Sequence, residues 1–249
     1  MKISIITSVY NNKETVAEAI ESVLSQTYDN IEYIVIDGGS TDGTVDIINQ
    51  YRDKISIFVS EPDNGIYDGL NKGIALAKGD VIGFLHSDDL YYDNQVIEKV
   101  AREFDNEHVD SIYGDLTYVA KVDTSKVIRY WKSGDFSIKK LNRGWMPPHP
   151  TFFVKRSIYE KAGGFDTSFK IAADYDIILR FLGKNRISTL YIPEILIKMR
   201  VGGESNKSLK NLFQKSKDDL KALKNNGIGH IGSLILKNIS KVFQFIVRE

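Results

Sequence analysis

Along the first ninety residues the apolar positions switch repeatedly between two spacings. Lys2 to Val9 is a short Ile-rich run, which predicts a buried strand. Asn11-Asn12 follow as turn or cap residues, and Val16, Ile20, Val23 and Leu24 then recur on one helical face. Glu32 to Asp37 predicts a second strand that ends in Gly38-Gly39-Ser40. Val45 and Ile48 mark a second helix, with Thr41 or Asp42 as its cap. Ile55 to Val59 predicts a third strand, and Ile66, Leu70, Ile74 and Ala77 predict a third helix. Val81 to Leu85 is the fourth strand, running into His86-Ser87-Asp88-Asp89.

Strands that alternate with amphipathic helices form right-handed βαβ units around a parallel sheet, so the fold class is α/β. Ligands of such sheets bind beyond the carboxyl ends of the strands. Polar residues gather at those ends here: Tyr10-Asn11, Asp37 and Asp88-Asp89. After Asp89 the alternation weakens. A helix through Ile97, Val100, Ala101 and Phe104 precedes two β-like runs, Ser111–Tyr118 and Lys126–Trp131. Gly144-Trp145-Met146-Pro147-Pro148-His149-Pro150 reads as a stiff loop, Thr151–Val154 as a strand, and Ser157–Ala162 and Asp174–Leu182 as helices. From Lys207 only helices are expected. This divides the chain into a domain over 1–205, with halves at about 1–90 and 91–205, and a helical extension over 206–249.

Composition narrows the classes. Lys+Arg and Asp+Glu each number 33 in 249 residues, so no global basic field argues for nucleic acid. The absence of cysteine excludes disulfides and thiolate metal sites. The N-terminus lacks the pattern of a signal peptide, and no apolar stretch is long enough to span a bilayer. The expectation is a cytoplasmic, soluble protein. Charge is nonetheless uneven: Ser205 to Glu249 holds nine basic side chains against three acidic ones. Within it Ile231, Leu234, Ile235, Ile239, Val242, Phe243 and Ile246 keep helical spacing, with Lys237, Lys241 and Arg248 among or beside them. Such a helix suits an anionic membrane surface, and equally packing against the domain or a second copy.

Two adjacent carboxylates at the end of an apolar strand repel each other and lose solvation, unless a cation joins them. Mg²⁺ or Mn²⁺ is held in this way by one or two carboxylates together with substrate phosphate oxygens. Asp88-Asp89 therefore has two readings, a cation site or a solvated acidic turn; the strand in front and Asp37 at another strand end favour the first. In Asp37-Gly38-Gly39-Ser40-Thr41-Asp42-Gly43-Thr44 the glycines let the backbone approach a ligand, and Asp37 can accept from a base N–H or a ribose hydroxyl.

Taken together the motifs resemble glycosyltransferase family 2, with its GT-A fold, from about Lys2 to about Ser205. They are Thr7-Ser8-Val9-Tyr10-Asn11, the Asp37–Thr44 element, Asn71-Lys72-Gly73 with Ala77-Lys78-Gly79-Asp80, Ser87-Asp88-Asp89, Gly163-Gly164-Phe165-Asp166 and Ala173-Asp174-Tyr175-Asp176. Asp63-Asn64-Gly65-Ile66-Tyr67-Asp68 resembles bacterial polysaccharide enzymes. The resemblance implies an inverting transfer of one sugar from a nucleotide-diphosphate donor, UDP-linked, to an acceptor hydroxyl in surface polysaccharide, lipopolysaccharide or exopolysaccharide synthesis. A hexosyl or N-acetylhexosaminyl unit is implied, with Mn²⁺ or Mg²⁺ as cofactor. Tyr10 and Asp37, with Thr7 in the same motif, fall on the nucleotide side; Asp88 falls on the ribose, Asp89 on the metal and Asp174 on the catalytic base. Ala173 stands where many relatives have Glu, which leaves the base open between Asp174 and Asp176. The Gln-x-x-Arg-Trp motif of processive synthases is missing, which points to single additions.

Further candidates carry paired readings. His149 reaches the metal or diphosphate, or makes a structural hydrogen bond. Trp145 stacks on the acceptor sugar, or packs in the core. Asp68 and Lys72 share a helix face and bind donor groups, or form a surface ion pair. Arg200, in what reads as a mobile loop over Arg200–Ser205, clamps the diphosphate, or begins a linker. Two other functions compete: a nucleotidyltransferase, which usually needs a basic Gly-rich loop that Thr7–Asn12 lacks, and a non-catalytic sugar-nucleotide-binding subunit, against which Asp174 argues.

Overall fold

A computed structural model describes residues 1–202, 209–230 and 232–237 of the chain. The first half follows the predicted order: β1 (Ile3–Val9), α1 (Val16–Leu24), β2 (Ile31–Asp37), α2 (Thr44–Asn49), β3 (Ile57–Ser60), α3 (Ile66–Leu76) and β4 (Val81–Phe84). Then come β5 (Leu90–Tyr91), α4 (Val96–Glu103), β6 (Ser111–Val119), β7 (Val127–Trp131), α5 (Ile138–Asn142), β8 (Phe153–Lys155), α6 (Arg156–Ala162), α7 (Ala173–Ile178), β9 (Thr189–Arg200) and α8 (Leu209–Asn226). A short helical stretch covers 232–237.

The nine strands of the described residues form one sheet in the order β3-β2-β1-β4-β8-β6-β9-β5, with β7 on β6. The four strands β3-β2-β1-β4 are parallel, so the loops after β1, β2 and β4 open on one edge. The rest is mixed: β8 is antiparallel to both β4 and β6, whereas β6 and β9 run parallel. Successive strand residues face opposite layers. Ile3 and Ile5 enter one core with Val35, α1 and α4; Ile6, Ile34 and Ile36 enter the other with α3 and α7. Among the described residues no helix is long and apolar enough to cross a membrane.

The second half departs from the sequence reading. β9 was not expected, because Pro193-Glu194 interrupts its apolar run. The sheet absorbs the interruption in a bulge. Tyr113 pairs with Tyr191 but Asp115 already pairs with Ile195, so the proline's missing N–H falls where the ladder is broken. Arg200 is consequently the buried last residue of a strand, not part of a mobile loop. The helix expected over Asp174–Leu182 is α7 followed by a π-helical segment, Leu179–Lys184. In α3, Ile66 is 47% exposed and the close approach to β1 is made by Gly69 and Gly73 instead.

The extension does not stand apart. Asn226 Nδ2 donates to Asp176, and Lys237 Nζ forms a buried ion pair with Asp219 at 2.8 Å while lying over the Tyr175 ring. Lys237 therefore leaves the set of membrane-facing cations. Of the apolar tail positions, Leu234 is half-buried and Ile235 is exposed; Ile231, Ile239, Val242, Phe243 and Ile246 lie outside the described residues, as do Lys241 and Arg248.

Candidate active site

The cleft lies at the carboxyl edge of the parallel strands, as the βα pattern requires. Its volume is about 710 Å³, and its wall includes Ser8, Tyr10, Asn12, Tyr67, Asp88, Asp89, His149, Asp174 and Arg200. The loops that form it are stitched together by side chains. Asn11, in the left-handed region at φ 45°, accepts from Thr41 N–H and donates its own N–H to Ser40. Asn12 donates to Ser87, and Thr15 to the Ser87 carbonyl. Asp42 accepts from the N–H and hydroxyl of Thr44, steadying the start of α2 from one residue before its Gly43 cap position.

At the rim Tyr10 is 63% exposed, a free aromatic face beside the cleft. Asp37 is fully buried. Its carboxylate accepts from Gly39 N–H, Ser40 N–H and Ser60 hydroxyl, so in this arrangement it organises the turn after β2. The neighbouring glycines serve that turn too, because a Cβ on Gly38 would stand 2.6 Å from Asp63 and one on Gly39 3.3 Å from Pro62. Gly38 and Gly39 thus make room for the 62–63 turn, whereas a Cβ on Gly43 would meet open space.

At the centre, Asp88 and Asp89 occupy the turn after β4. Asp89 is 1% exposed; one carboxylate oxygen accepts Arg200 N–H at 3.2 Å, and the other, Oδ2, is buried with no hydrogen-bond partner. Burial first, and Asp88 second, hold its pKa well above the usual carboxylate range, against a smaller opposing effect of Arg200. An ionised Asp89 therefore calls for a cation. Among the described residues no three acidic or imidazole groups cluster as a preformed metal cage. The residues fit a divalent ion that takes one carboxylate from the protein and its remaining oxygens from a phosphate ligand and water. His149 lines the same cleft with both ring nitrogens buried and unpartnered. Burial, and then His86, push its pKa down to about 3, so it is a neutral imidazole with a nitrogen lone pair to offer. His86, at 5.8 Å from the His149 ring, is also held low by burial, against the pull of Asp88 and Asp174.

Opposite them, Asp174 stands half-buried on the first turn of α7, facing the cleft. Asp176 does not. It is buried on the other side of α7, accepting from Asn226 and 3.5 Å from Arg180, and lines a separate hollow with Gly164 and Lys184. The two candidates left by the sequence, two positions apart, are separated by a rotation of about 200° around the helix.

Four other expectations change. Thr7 is fully buried, and its hydroxyl bonds the Leu85 carbonyl and Tyr33, so it supports the β1 and β4 ends from below the cleft. Trp145 donates to the Ser133 carbonyl and packs edge-on to Tyr113, which is the core reading and not the acceptor one. Lys72 pairs with Glu61 at 2.9 Å, and Asp68 accepts from Asn64, so the two neither pair with each other nor line the cleft. Arg200 does line the cleft, but its guanidinium already donates to the Asp88 and Lys121 carbonyls and to Glu18, bracing the carboxylate turn. Sequence reasoning gave no role to His86, although it adjoins the quoted acidic motif, nor to Tyr67, whose motif was quoted for its resemblance alone.

The fold is that of a GT-A-type α/β protein. The chain belongs to glycosyltransferase family 2, whose family model, "Glycosyl transferase family 2", matches residues 4–172. It is 37% identical over 210 residues to an uncharacterized glycosyltransferase of Rickettsia typhi, covering 80% of this chain and 64% of that protein. It is 29% identical over 216 residues to a PGL/p-HBAD biosynthesis glycosyltransferase of Mycobacterium bovis, covering 85% of this chain and 82% of that one. Among solved structures it resembles S. aureus TarS 1-349 in complex with UDP-GlcNAc, with a TM-score of 0.67 at 19% identity over 99% of this chain and 79% of that one. Mannosyltransferase PcManGT from Pyrobaculum calidifontis, in complex with GDP-Man and Mn²⁺, gives a TM-score of 0.67 at 14% identity over 96% and 68%. These two likenesses are of fold.

Proposed function

We propose that the chain is an inverting glycosyltransferase that moves one sugar from a nucleotide-diphosphate donor, UDP-linked, to an acceptor hydroxyl in the synthesis of a cell-surface polysaccharide. The observation that carries this is the placement of Asp174 across one cleft from Asp88 and Asp89, with an oxygen of Asp89 buried and unpartnered. Tyr10 offers its face to the nucleobase, Asp37 fixes the loop beneath it, and Asp88 meets the ribose. Asp89, with the neutral imidazole of His149, would hold Mn²⁺ or Mg²⁺, which when bound would supply positive charge for the leaving diphosphate. Asp174 takes the proton from the acceptor hydroxyl as that oxygen attacks the anomeric carbon. The bond to the diphosphate oxygen breaks on the opposite face, and the nucleoside diphosphate leaves with the electron pair.

Support for UDP comes from the TarS complexes, and support for a metal from the Mn²⁺ complex of the mannosyltransferase. A thermal-shift screen of UDP-, GDP- and dTDP-sugars with Mn²⁺ tests the donor. A ligand at a hundred times its dissociation constant stabilises by about 2.7 kcal/mol, so a response to GDP- but not UDP-sugars overturns the UDP assignment. The base is tested by Asp174→Asn, expected to bind donor normally and to lose transfer by roughly a hundredfold or more, with Asp176→Asn losing far less. Exchanged rates move the base to Asp176; two active variants remove both. The same assay, run on donor and acceptor together, separates an enzyme from a binding subunit.

A further inference from the structure

Helix α7 begins without a side-chain cap of its own. Its start is fixed from outside, and the group that does most of this comes from α8. The buried carboxylate of Asp218 accepts the N–H groups of both Lys170 and Ile171, each at 2.9 Å. Three residues on, Lys221 donates to Ser168 at 2.7 Å, and Asn226 donates to Asp176 at 2.8 Å. The extension thus grips the chain before Asp174 and again after it. Lys170 and Ile171 are themselves part of the cleft wall. From the other side, the Tyr67 hydroxyl donates to the Ile171 carbonyl, and the Tyr67 ring is held by stacking on Phe165 at 5.6 Å. Ile171 is therefore pinned through both its backbone groups, by α3 on one side and α8 on the other, three residues ahead of Asp174.

We propose that Asp218 is a positioning residue for Asp174, with Tyr67 as its counterpart, so that α8 belongs to the catalytic apparatus and not to an appendage. The inference rests on the reading of Asp174 as the base. A carboxylate that takes a proton in flight must be placed to within a fraction of an ångström, and a displacement of about 1 Å is enough to cost on the order of a hundredfold in rate. Asp218 never touches substrate in this scheme; it sets where α7 begins.

Asp218→Ala removes the acceptor of two backbone N–H groups. Asp218→Asn keeps an acceptor oxygen in the same place, and Gln214, which now donates to the other oxygen at 2.7 Å, can turn its amide to meet the new NH₂. The expected result is that Asp218→Ala lowers kcat by tenfold or more while donor affinity stays within about twofold, and that Asp218→Asn restores kcat to within about threefold of the parent. The decisive arm repeats Asp218→Ala in the Asp174→Asn background. If Asp218 acts through Asp174, the second substitution adds little there, because coupled positions are non-additive. The same factor lost in both backgrounds overturns the inference, as does a parental kcat in Asp218→Ala. If Asp218→Ala does not fold, Tyr67→Phe carries the test, since it keeps the ring and removes only the hydroxyl; a parental kcat in Tyr67→Phe likewise overturns the clamp. A parental rate in Asp174→Asn alone sinks the base reading itself, whereas an inactive Asp174→Asn beside a fully active Asp218→Ala sinks only the inference drawn from it.

Discussion

Asp89 and Asp37 show how differently two acidic residues at strand ends can be employed. Both were singled out by position, and both are buried. Asp37 has its hydrogen bonds supplied by the turn it organises; Asp89 is left with an oxygen that nothing in the described residues satisfies. The sequence carried the positions but not this difference, because it depends on Arg200 N–H, Ser60 and the 62–63 turn arriving from far along the chain. Asp89→Ala is expected to abolish transfer, by about a hundredfold or more, and to remove the Mn²⁺-dependent part of the thermal shift with UDP. Near-parental activity of that variant in EDTA would remove the metal assignment. A stability prediction concerns Glu32, buried beside β1. Burial alone would raise its pKa, but donors from Ser4, Lys78 and Lys2 outweigh that, and the folded pKa lies below the ordinary 4.5. A carboxylate depressed in the folded state stabilises fully above the unfolded value and loses that contribution as pH falls through the folded one. Glu32→Gln should cost about 1.5–3 kcal/mol at pH 7, the range for hydrogen bonds to a charged group. Urea midpoints should converge with the parent's as the pH is lowered below about 4; a gap that stays constant to pH 3 refutes the linkage.

Elements were legible wherever one period ran uninterrupted. β1 to β4 and the helices between them follow from apolar spacing, with ends shifted by a residue or two. β9 was missed because a proline sits in its middle, and α5 because five residues are too few for a period to declare itself. The packing of α3 was misjudged for a different reason: glycine has no side chain to enter an apolar pattern. Gly69 and Gly73, four apart, let α3 settle onto β1, where a Cβ would stand 2.5 Å from Ser8 Oγ and 2.4 Å from Ile6 Cγ2. The Asn71-Lys72-Gly73 motif is thus partly a packing device. Gly73→Ala should destabilise by about 1–3 kcal/mol despite alanine's better helix propensity. Equal or higher stability in urea would show that Ile6 yields at no cost.

For the molecule as a whole, the sequence left the basic tail open between an anionic membrane surface and packing against the domain or a second copy. The described part of the tail is bound into the body by Asp218, Asn226 and the Asp219–Lys237 pair. Removing one partner of a buried pair strands the other, so Lys237→Ala should cost about 3–5 kcal/mol. A urea midpoint unchanged from the parent would show that Asp219 is solvated after all. The membrane reading now rests on the apolar positions beyond 230 and the basic ones beyond 237, and flotation on anionic liposomes tests it. No flotation of the parent, or equal flotation after truncation at Gly227, removes it.

The hydrogen bond from Arg200 N–H to Asp89 joins residues 111 positions apart. A ribosome working at about 5–20 residues per second leaves an interval of roughly 6–20 seconds between the synthesis of the two. For that time Asp89 has been made but the strand that braces it has not. The carboxylate turn and the backbone group that braces it therefore cannot meet until the chain has been made through residue 200.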